Sequence, residues 1–336
     1  MSAEEIAVIG AGSYGTCLAV LFGHYGHRVS LYNRTSETTA EMNAVRENRA
    51  YLPGHRLPDS VTVTSDLAEA VRGKRFILGV TPSHGIRDTL GAAAQWMDPD
   101  AIVINASKGL EEGTLKTIDA IYRDVLPARI AGRATYLSGP TFAAELAAGM
   151  PAAIVLAGYD AETTVDARKT LSGINFRIYS TDDVLGVLIG GALKNVIAIG
   201  AGLSDGLGFG SNTRVALITR GLAEITRIGC ALGANAQTFA GLSGMGDLVL
   251  TCSGDSSRNR RVGLALGQGK KIGEILAEMK QVAEGVKTTK VAKELAAKLG
   301  VQAPITDAMY AIMYEDVPVR DALTRLLTRP TRSERD

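Results

Sequence analysis

Lys194 and Asn195 are the residues of this sequence best placed for chemistry, because they interrupt an apolar run from Val184 to Leu203. Read as a helix, the run places both on one face whose other members are small: Gly191, Ala198, Ala201 and Gly202. A lysine buried on such a face loses hydration, which disfavours its charged form and lowers its pKa toward the range useful for proton transfer. The pattern therefore makes Lys194 a candidate for proton transfer.

Two structural alternatives compete with that interpretation. The run is long enough to cross a bilayer, which takes about 20 apolar residues, but a lysine and an asparagine at its centre would be costly in lipid. The sequence therefore predicts no integral membrane segment. The small face could instead serve close packing against another helix, with Lys194 extending to the surface. The run alone leaves this second alternative open.

Further polar residues follow the ends of predicted strands. Lys108 comes after a strand at 101–105, and Gly139 and Thr141 lie between a strand at 135–137 and the next helix. Ligands bind outside the carboxyl ends of parallel strands, so Lys108 is suited to an anion or a carbonyl oxygen. The helix N-terminus behind Thr141 is a ready anion site. A lysine at a strand end is also common on surfaces, so Lys108 alone decides nothing.

Another polar group lies far along the chain, where Ser257, Arg258 and Asn259 are consecutive. A hydroxyl, a guanidinium and an amide can together bind a phosphate, and arginine supplies a fixed fork of donors. The alternatives are a basic surface loop and a nucleic-acid patch. The formal net charge of +1 and the lack of interleaved aromatic residues argue against nucleic acid.

Gly10, Gly12 and Gly15 form a GxGxxG turn between a strand at 6–9 and a helix from Thr16, and a second strand follows that helix. In this context the first glycine makes the turn and the second lets the backbone approach a pyrophosphate. The third lets the helix and the strand pack closely. The helix N-terminus adds amides and a positive dipole end. The turn therefore predicts a dinucleotide site.

Arg34 bears on which dinucleotide binds. An NAD-selective site places an acid at the end of the second strand, where it binds the ribose 2′-hydroxyl. Here the strand at 28–32 runs into Asn33, Arg34, Thr35 and Ser36, with no acid before Glu37. An arginine with hydroxyl neighbours suits a 2′-phosphate, so we expect NADP or NAD, with NADPH preferred. An exposed Arg34 with loose selectivity is the alternative.

Strands and helices alternate through the first half of the chain, which predicts an α/β fold with a Rossmann-type, doubly wound, mostly parallel sheet. After Ser180 we expect helices only, the first of them capped by Asp182 or Asp183. The predicted organisation is a dinucleotide-binding Rossmann-type domain at 1–183, followed by an all-α, helical substrate-binding and catalytic domain at 184–336.

The composition indicates a cytoplasmic enzyme without a metal. Cys17, Cys230 and Cys252 lack paired spacing, and the four histidines show no ligand spacing, so we expect reduced thiols and no metal site. The acidic N-terminus runs directly into a strand, without the features of a signal peptide.

Six motifs together resemble the bacterial NAD(P)-dependent glycerol-3-phosphate dehydrogenase family, from Ile6 to about Arg325. They are Gly10 to Thr16, Ser107 to Glu111, Ser138 to Glu145, Leu193 to Val196, Gly244 to Leu248 and Ser257 to Asn259. Each is modest alone, and all six in this order are highly specific.

The resemblance implies two sets of site residues. Besides the glycine turn, the cofactor set is Ser13, Tyr14, Arg34, Lys108, Ala143, Arg258, Val282 and Glu284. The substrate set is Lys108, Gly139, Thr141, Lys194, Asp247, Ser257, Arg258 and Asn259.

The resemblance also implies a reaction, in which NAD(P)H delivers a hydride to C2 of dihydroxyacetone phosphate and makes sn-glycerol 3-phosphate for phospholipid synthesis. Lys194 would donate the proton. Lys108 would polarise the C2 oxygen or bind the phosphate, and Asp247 would orient Lys194 or bind a substrate hydroxyl.

Two other functions stay open at this point. A related Rossmann-plus-helical dehydrogenase of a hydroxyacid or ketopantoate type would keep Lys194 and Asn195 but have less need of Ser257, Arg258 and Asn259. A nucleotide-sensing module without turnover would need the glycine turn but not Lys194. The sequence also leaves four properties open: the cofactor selectivity ratio, the oligomeric state (a homodimer included), feedback regulation and the extent of domain closure.

Overall fold

The structure, a computed structural model, describes residues 3–279, 283–330 and Ser333. Within these residues the strands are β1 (Glu5–Ile9), β2 (Arg28–Tyr32), β3 (Glu47–Asn48), β4 (Leu52–Arg56), β5 (Val61–Thr64), β6 (Phe76–Gly79), β7 (Ile102–Asn105), β8 (Thr135–Ser138), β9 (Ala152–Gly158) and β10 (Phe176–Thr181).

The helices that accompany the strands are α1 (Ser13–His24), α2 (Ser36–Val45), α3 (Leu67–Val71), α4 (Ile86–Ala94), α5 (Ile118–Val125), α6 (Ala128–Gly132), α7 (Ala143–Ala147) and α8 (Ala161–Leu171). The later helices are α9 (Val184–Gly206), α10 (Ser211–Ala231), α11 (Ala236–Phe239), α12 (Asp247–Ser253), α13 (Arg258–Gly267), α14 (Ile272–Glu278), α15 (Glu284–Leu299), α16 (Pro304–Tyr314) and α17 (Val319–Leu327). Short turns of 3₁₀ and π helix lie at Ser83–Gly85 and Leu242–Gly246.

Eight strands form one sheet in the order β10-β9-β8-β7-β6-β1-β2-β5. All neighbours are parallel except β8 and β9, which are antiparallel. The predicted mostly parallel, doubly wound sheet is therefore confirmed. The strand order reverses at β1, which has β2 on one side and β6 on the other. The carboxyl end of β1 is thus the switch point where such sheets bind ligands.

A small ribbon of β3 and β4 was not predicted from the sequence. The alternation of strands and helices in the sequence predicts a helix around 37–48, but α2 ends at Val45, and Arg46 takes a left-handed conformation with φ of 54°. The Glu47 carboxylate then accepts from the Gly54 N–H at 2.8 Å across the ribbon. The expectation was wrong at this end because the hydrogen bonds of Glu47 within the ribbon and of Asn48 to Ala11 and Thr16 override the local helix propensity.

In the described residues after β10 the elements are all helical, as expected, and α9 lies at their centre. Its N-terminus is capped by Asp183, whose Oδ1 accepts from the Gly186 N–H at 2.9 Å. On α9 and α13 the backbones nearly touch: a Cβ on Gly202 would lie 1.9 Å from the Arg260 carbonyl oxygen, and one on Gly263 would lie 1.8 Å from that of Ile199. Part of the small face of α9 therefore serves helix packing, which was one of the alternatives.

The length and hydropathy of α9 would allow it to cross a membrane, yet 94% of its most apolar window is buried inside the protein. It is therefore placed as a core helix. The change from strands to helices falls between Thr181 and Val184, where the two predicted domains, 1–183 and 184–336, meet. That division into domains stays a prediction.

Candidate active site

Lys194 lies in the middle of α9, with only 7% of its side chain exposed. Its Nζ donates to Asp247 Oδ1 at 2.6 Å and to the Thr251 hydroxyl at 2.7 Å. Asp247 begins α12 and is 1% exposed. Lys194 thus points into a polar cluster inside the protein and does not extend to the surface.

The same carboxylate also binds a second lysine. Lys108 follows β7, and its Nζ donates to Asp247 Oδ2 at 2.5 Å and, more weakly, to the Gly139 carbonyl at 3.4 Å. The Lys108 side chain is 19% exposed, so this lysine is the more open of the two. Asp247 therefore holds one amine on each oxygen, and the cluster joins the sheet to the helical part of the chain.

Thr251 is a member of this cluster that the sequence analysis missed. Its hydroxyl lies 2.7 Å from Lys194 Nζ and contacts the Asp247 carbonyl at 2.6 Å. The helical spacing of four residues, which puts Asp247 and Thr251 on one face of α12, was a signal that could have found it. We call Lys108, Lys194, Asp247 and Thr251 the lysine cluster.

The charges of the lysine cluster tune Lys194. Burial is the main cause that lowers the pKa of Lys194 to about 8; the negative charge of Asp247 opposes this fall, and the positive charge of Lys108 adds to it. Two lysines against one carboxylate give the cluster a net positive charge whenever both amines are protonated. The cluster can therefore attract an anion and exchange a proton near neutral pH.

Gly139 and Thr141 lie beside the lysine cluster, as the sequence suggested. Gly139 has φ of +149°, and a Cβ there would come 3.0 Å from the Ile154 side chain, so only glycine fits without strain. The Thr141 hydroxyl donates to the Tyr14 hydroxyl at 3.2 Å. Burial is the main cause that raises the pKa of Tyr14, to which Asp247 adds. Tyr14, at the start of α1, thus connects the glycine turn to the cluster.

The glycine turn fits a dinucleotide. A Cβ on Gly10 would lie 2.8 Å from the Val80 carbonyl oxygen, and one on Gly15 only 1.9 Å from that of Gly10. A Cβ on Gly12, by contrast, would meet nothing within 4 Å, and no side chain caps the N-terminus of α1 there. The turn therefore offers open space and free first-turn amides beside a helix N-terminus, which is what a pyrophosphate requires.

Ser13 is placed at the same turn, but its hydroxyl donates to the Tyr51 carbonyl at 2.7 Å. Its side chain is thus turned toward the β3–β4 ribbon, and a cofactor would meet its backbone. Ala143, at the start of α7, is half-buried.

Arg34 is exposed just beyond the carboxyl end of β2. His84 is within electrostatic reach of Arg34, because burial first, then the charges of Lys287 and Arg34, lower the pKa of His84. His84 belongs to the turn after β6, on the far side of β1 from β2. Arg34 and Lys287 therefore both contribute positive charge at His84, and Arg34 follows the strand end where a 2′-phosphate is predicted.

Two of the three consecutive residues Ser257, Arg258 and Asn259 make hydrogen bonds that stabilise the fold. Ser257 caps α13, with its Oγ accepting from the Arg260 N–H at 3.2 Å. The Asn259 amide donates to Asn195 Oδ1 and accepts from the Gly285 N–H, both at 2.9 Å. Of the three, only Arg258 is exposed.

Glu284, the first residue of α15, is within electrostatic reach of Arg258. Burial raises the pKa of Glu284, and the Arg258 guanidinium opposes that rise. The charges of Lys108 and Lys194 lower the pKa of the same carboxyl more weakly. Val282, also predicted to bind the cofactor, lies outside the described residues.

Among the residues that the structure describes, no group of three or more His, Cys, Asp or Glu side chains is placed to hold a metal ion. Cys17, Cys230 and Cys252 are all within that part of the chain and are free thiols.

Comparison with known family models matches both halves of the chain to one family. Residues 5–164 match the model described as "NAD-dependent glycerol-3-phosphate dehydrogenase N-terminus", and residues 183–324 match that of the C-terminus. Proteins named "Glycerol-3-phosphate dehydrogenase [NAD(P)+]" from Geobacter metallireducens and Geobacter sp. strain M21 are 52% and 50% identical over 332 residues, with 99% of each chain covered. The crystal structure of a glycerol-3-phosphate dehydrogenase from Coxiella burnetii, at 36% identity, superposes with a TM-score of 0.91 over 97% of this chain and 99% of that one.

Proposed function

Because this chain belongs to the NAD-dependent glycerol-3-phosphate dehydrogenase family, we propose that it interconverts dihydroxyacetone phosphate and sn-glycerol 3-phosphate with NAD(P)H. Its role would be to supply glycerol 3-phosphate for phospholipid synthesis in the cytoplasm. The observation that carries the proposal is the lysine cluster, where a buried amine with a pKa of about 8 lies beside a second, more open cation at the ligand-binding edge of the sheet.

The bound nicotinamide supplies the hydride that reduces C2 of the ketone, and the chain's part is to manage charge and protons. Lys194 donates a proton to the C2 oxygen as the alkoxide develops, and accepts it again in the reverse direction. Its lowered pKa suits both directions near neutral pH. The Lys194 amine donates a hydrogen bond of 2.6 Å to Asp247, which holds it in place. A second hydrogen bond, of 2.7 Å to the Thr251 hydroxyl, fixes its orientation.

Lys108 is the residue for the anionic end of the substrate or its C2 oxygen. Asp247 and the Gly139 carbonyl take two of its three donors and fix its position, and its partial exposure leaves the third available to a ligand. Thr141, Ser257, Arg258 and Asn259 complete the proposed substrate set. For Asn259 the contribution would be chiefly to position Asn195, since its own amide is already engaged on both sides.

The proposed cofactor set begins with the turn at Gly10, Gly12, Ser13, Tyr14 and Gly15. Arg34 would bind a 2′-phosphate and make NADPH the preferred cofactor. Lys108, Ala143, Arg258 and Glu284 would complete the cofactor site on the side of the lysine cluster. A homodimer is a separate prediction, which gel filtration with light scattering would test.

The test is oxidation of NADPH and of NADH by the purified protein with three ketones: dihydroxyacetone phosphate, unphosphorylated dihydroxyacetone and ketopantoate. We expect turnover with the phosphate ester, much less with dihydroxyacetone and none with ketopantoate. Turnover of ketopantoate in preference to the phosphate ester would replace this proposal by the related dehydrogenase class. Cofactor binding without turnover of any ketone would favour a sensor.

A further inference from the structure

Asn48 is a buried polar residue outside the proposed site, and it contacts the glycine turn directly. It ends β3 and is 1% exposed. Its Nδ2 donates to the Ala11 carbonyl and to the Thr16 hydroxyl, both at 2.8 Å. Its Oδ1 accepts from the Tyr51 N–H at 3.2 Å. The amide therefore uses both protons and its oxygen, which is a fully satisfied buried group.

The contact with Ala11 fixes one peptide of the glycine turn. A trans peptide is planar, so its C=O and the following N–H point in opposite directions. Holding the Ala11 carbonyl against Asn48 therefore directs the Gly12 N–H away from Asn48. The Thr16 contact fixes the first turn of α1 to the same side chain, so that turn and helix are aligned together.

The ribbon that carries Asn48 is itself attached to the turn at a second point. The Ser13 hydroxyl donates to the Tyr51 carbonyl at 2.7 Å, while the Tyr51 N–H is held by Asn48. Leu52 of β4 is 3% exposed and packs in the same core cluster as Ala11 and Leu18. The ribbon thus braces the back of the turn through polar and apolar contacts.

We propose that Asn48 is a positioning residue for dinucleotide binding, which sets the direction of the backbone donors of the glycine turn from outside the binding site. The inference rests on the proposed function only in assuming that a dinucleotide binds at the turn. It assigns a function to the one pair of strands that the sequence analysis did not expect.

Asn48→Asp is the sharpest variant, because it keeps the shape and the bond to the Tyr51 N–H. The Thr16 hydroxyl can rotate and donate to the new carboxylate, but the Ala11 carbonyl cannot. A carboxylate oxygen would then face the Ala11 carbonyl oxygen, in place of the hydrogen bond from Asn48 Nδ2. Asn43→Ala is the matched control, because Asn43 also bridges two elements, with Nδ2 on the Val63 carbonyl at 2.8 Å and Oδ1 on the Val63 N–H at 3.2 Å.

Isothermal titration with NADPH, together with melting temperatures, tests the proposal. We expect Kd to rise about tenfold or more for Asn48→Asp and Asn48→Ala, since a buried acceptor loses its donor. For Asn43→Ala, which removes a bridging amide that does not contact the glycine turn, we expect a Kd within about twofold of wild type. In turnover, the KM for NADPH should rise, while the KM for dihydroxyacetone phosphate changes little.

Three results would overturn the proposal. One is a folded Asn48→Asp that binds NADPH as tightly as wild type, and another is an Asn43→Ala that weakens binding equally. If both Asn48 variants fail to fold, Thr16→Val removes one acceptor and keeps the side-chain volume, and an unchanged Kd there would count against the proposal. A wild-type protein that binds no dinucleotide would instead refute the proposed function.

Discussion

The glycine turn and the lysine cluster are built in opposite ways. The turn is contiguous, from Gly10 to Gly15, and its form is set by backbone geometry that leaves no room for side chains at its first and third glycines. The cluster is assembled from separate elements, and Lys108 and Asp247 are 139 residues apart. The turn depends on glycines that have no side chain, whereas the cluster depends on buried charged side chains.

The two sites are therefore sensitive to different kinds of substitution. A substitution in the turn acts on the approach of a ligand, so it should appear in cofactor affinity. A substitution in the cluster removes one member of a coupled set of buried charges, so it should change the protonation of the others and appear in the chemical step.

Lys194→Ala should give the largest effect. Loss of the proton donor should lower kcat for dihydroxyacetone phosphate about a thousandfold, within the usual range for general acid catalysis, while NADPH affinity changes little. Lys290→Ala is the matched control, because Lys290 pairs with Glu112 on the surface. Added ethylamine should restore part of the activity to Lys194→Ala. A variant with near-normal kcat would remove Lys194 as the donor.

Asp247→Asn should be next, with a loss of about a hundredfold in kcat/KM and a change in its pH dependence. The Asp247 charge raises the pKa of Lys194, so its removal should lower that pKa below 8. In the reductive direction the fall of kcat/KM with rising pH should then begin at lower pH. Asp124→Asn, on a surface carboxylate bound to Arg87 and Lys116, should leave the profile in place. An unshifted profile in Asp247→Asn would show that the charge of Asp247 does not set the pKa of the proton donor.

Arg34→Ser tests the cofactor side. We expect the ratio of kcat/KM for NADPH to that for NADH to fall about tenfold, by loss of one charge-assisted contact to the 2′-phosphate, with the NADH values nearly unchanged. Arg49→Ser, on an exposed arginine near Glu47, serves as the control. An equal loss with both cofactors would mean that Arg34 does not read the 2′-phosphate.

Thr251→Val should be the mildest change. It keeps the side-chain shape and removes one bond to Lys194 Nζ, so kcat should fall severalfold to about tenfold. Thr219→Val is its control, since the Thr219 hydroxyl only donates to the Val215 carbonyl on the surface. An effect as large as that of Lys194→Ala would show that the hydroxyl takes part in the proton transfer itself.

The same contrast explains what the sequence could predict. The sheet and the turn depend on local spacing, such as the glycines at 10, 12 and 15, and the prediction of the parallel sheet is confirmed. The face of α9 that carries Lys194 was also visible in a single segment. Helical spacing alone, however, could not tell which residues of this face pack against another helix and which belong to the site. In the structure Gly202 packs on α13, while Lys194 reaches the lysine cluster.

The features that could not be predicted depend on contacts between residues far apart in the sequence. The bonds from Asp247 to two lysines join segments that local patterns cannot connect, and only the family resemblance named Asp247 in advance. Thr251 was missed although its helical spacing from Asp247 was available. Asn48 was missed because its bonds to Ala11 and Thr16 exist only once the ribbon is folded against α1, and these bonds replace the last turn of a predicted helix.

The most direct measurement is the pH dependence of kcat/KM for dihydroxyacetone phosphate with wild-type enzyme. Lys194 must be protonated to donate, so kcat/KM should be level below pH 8 and fall tenfold per unit above it, because the pKa is about 8. Oxidation of glycerol 3-phosphate should show the mirror image, rising through the same pKa. A reductive profile that stays level well above pH 9, or an identical one in Asp247→Asn, would contradict a proton donor tuned by burial and by Asp247.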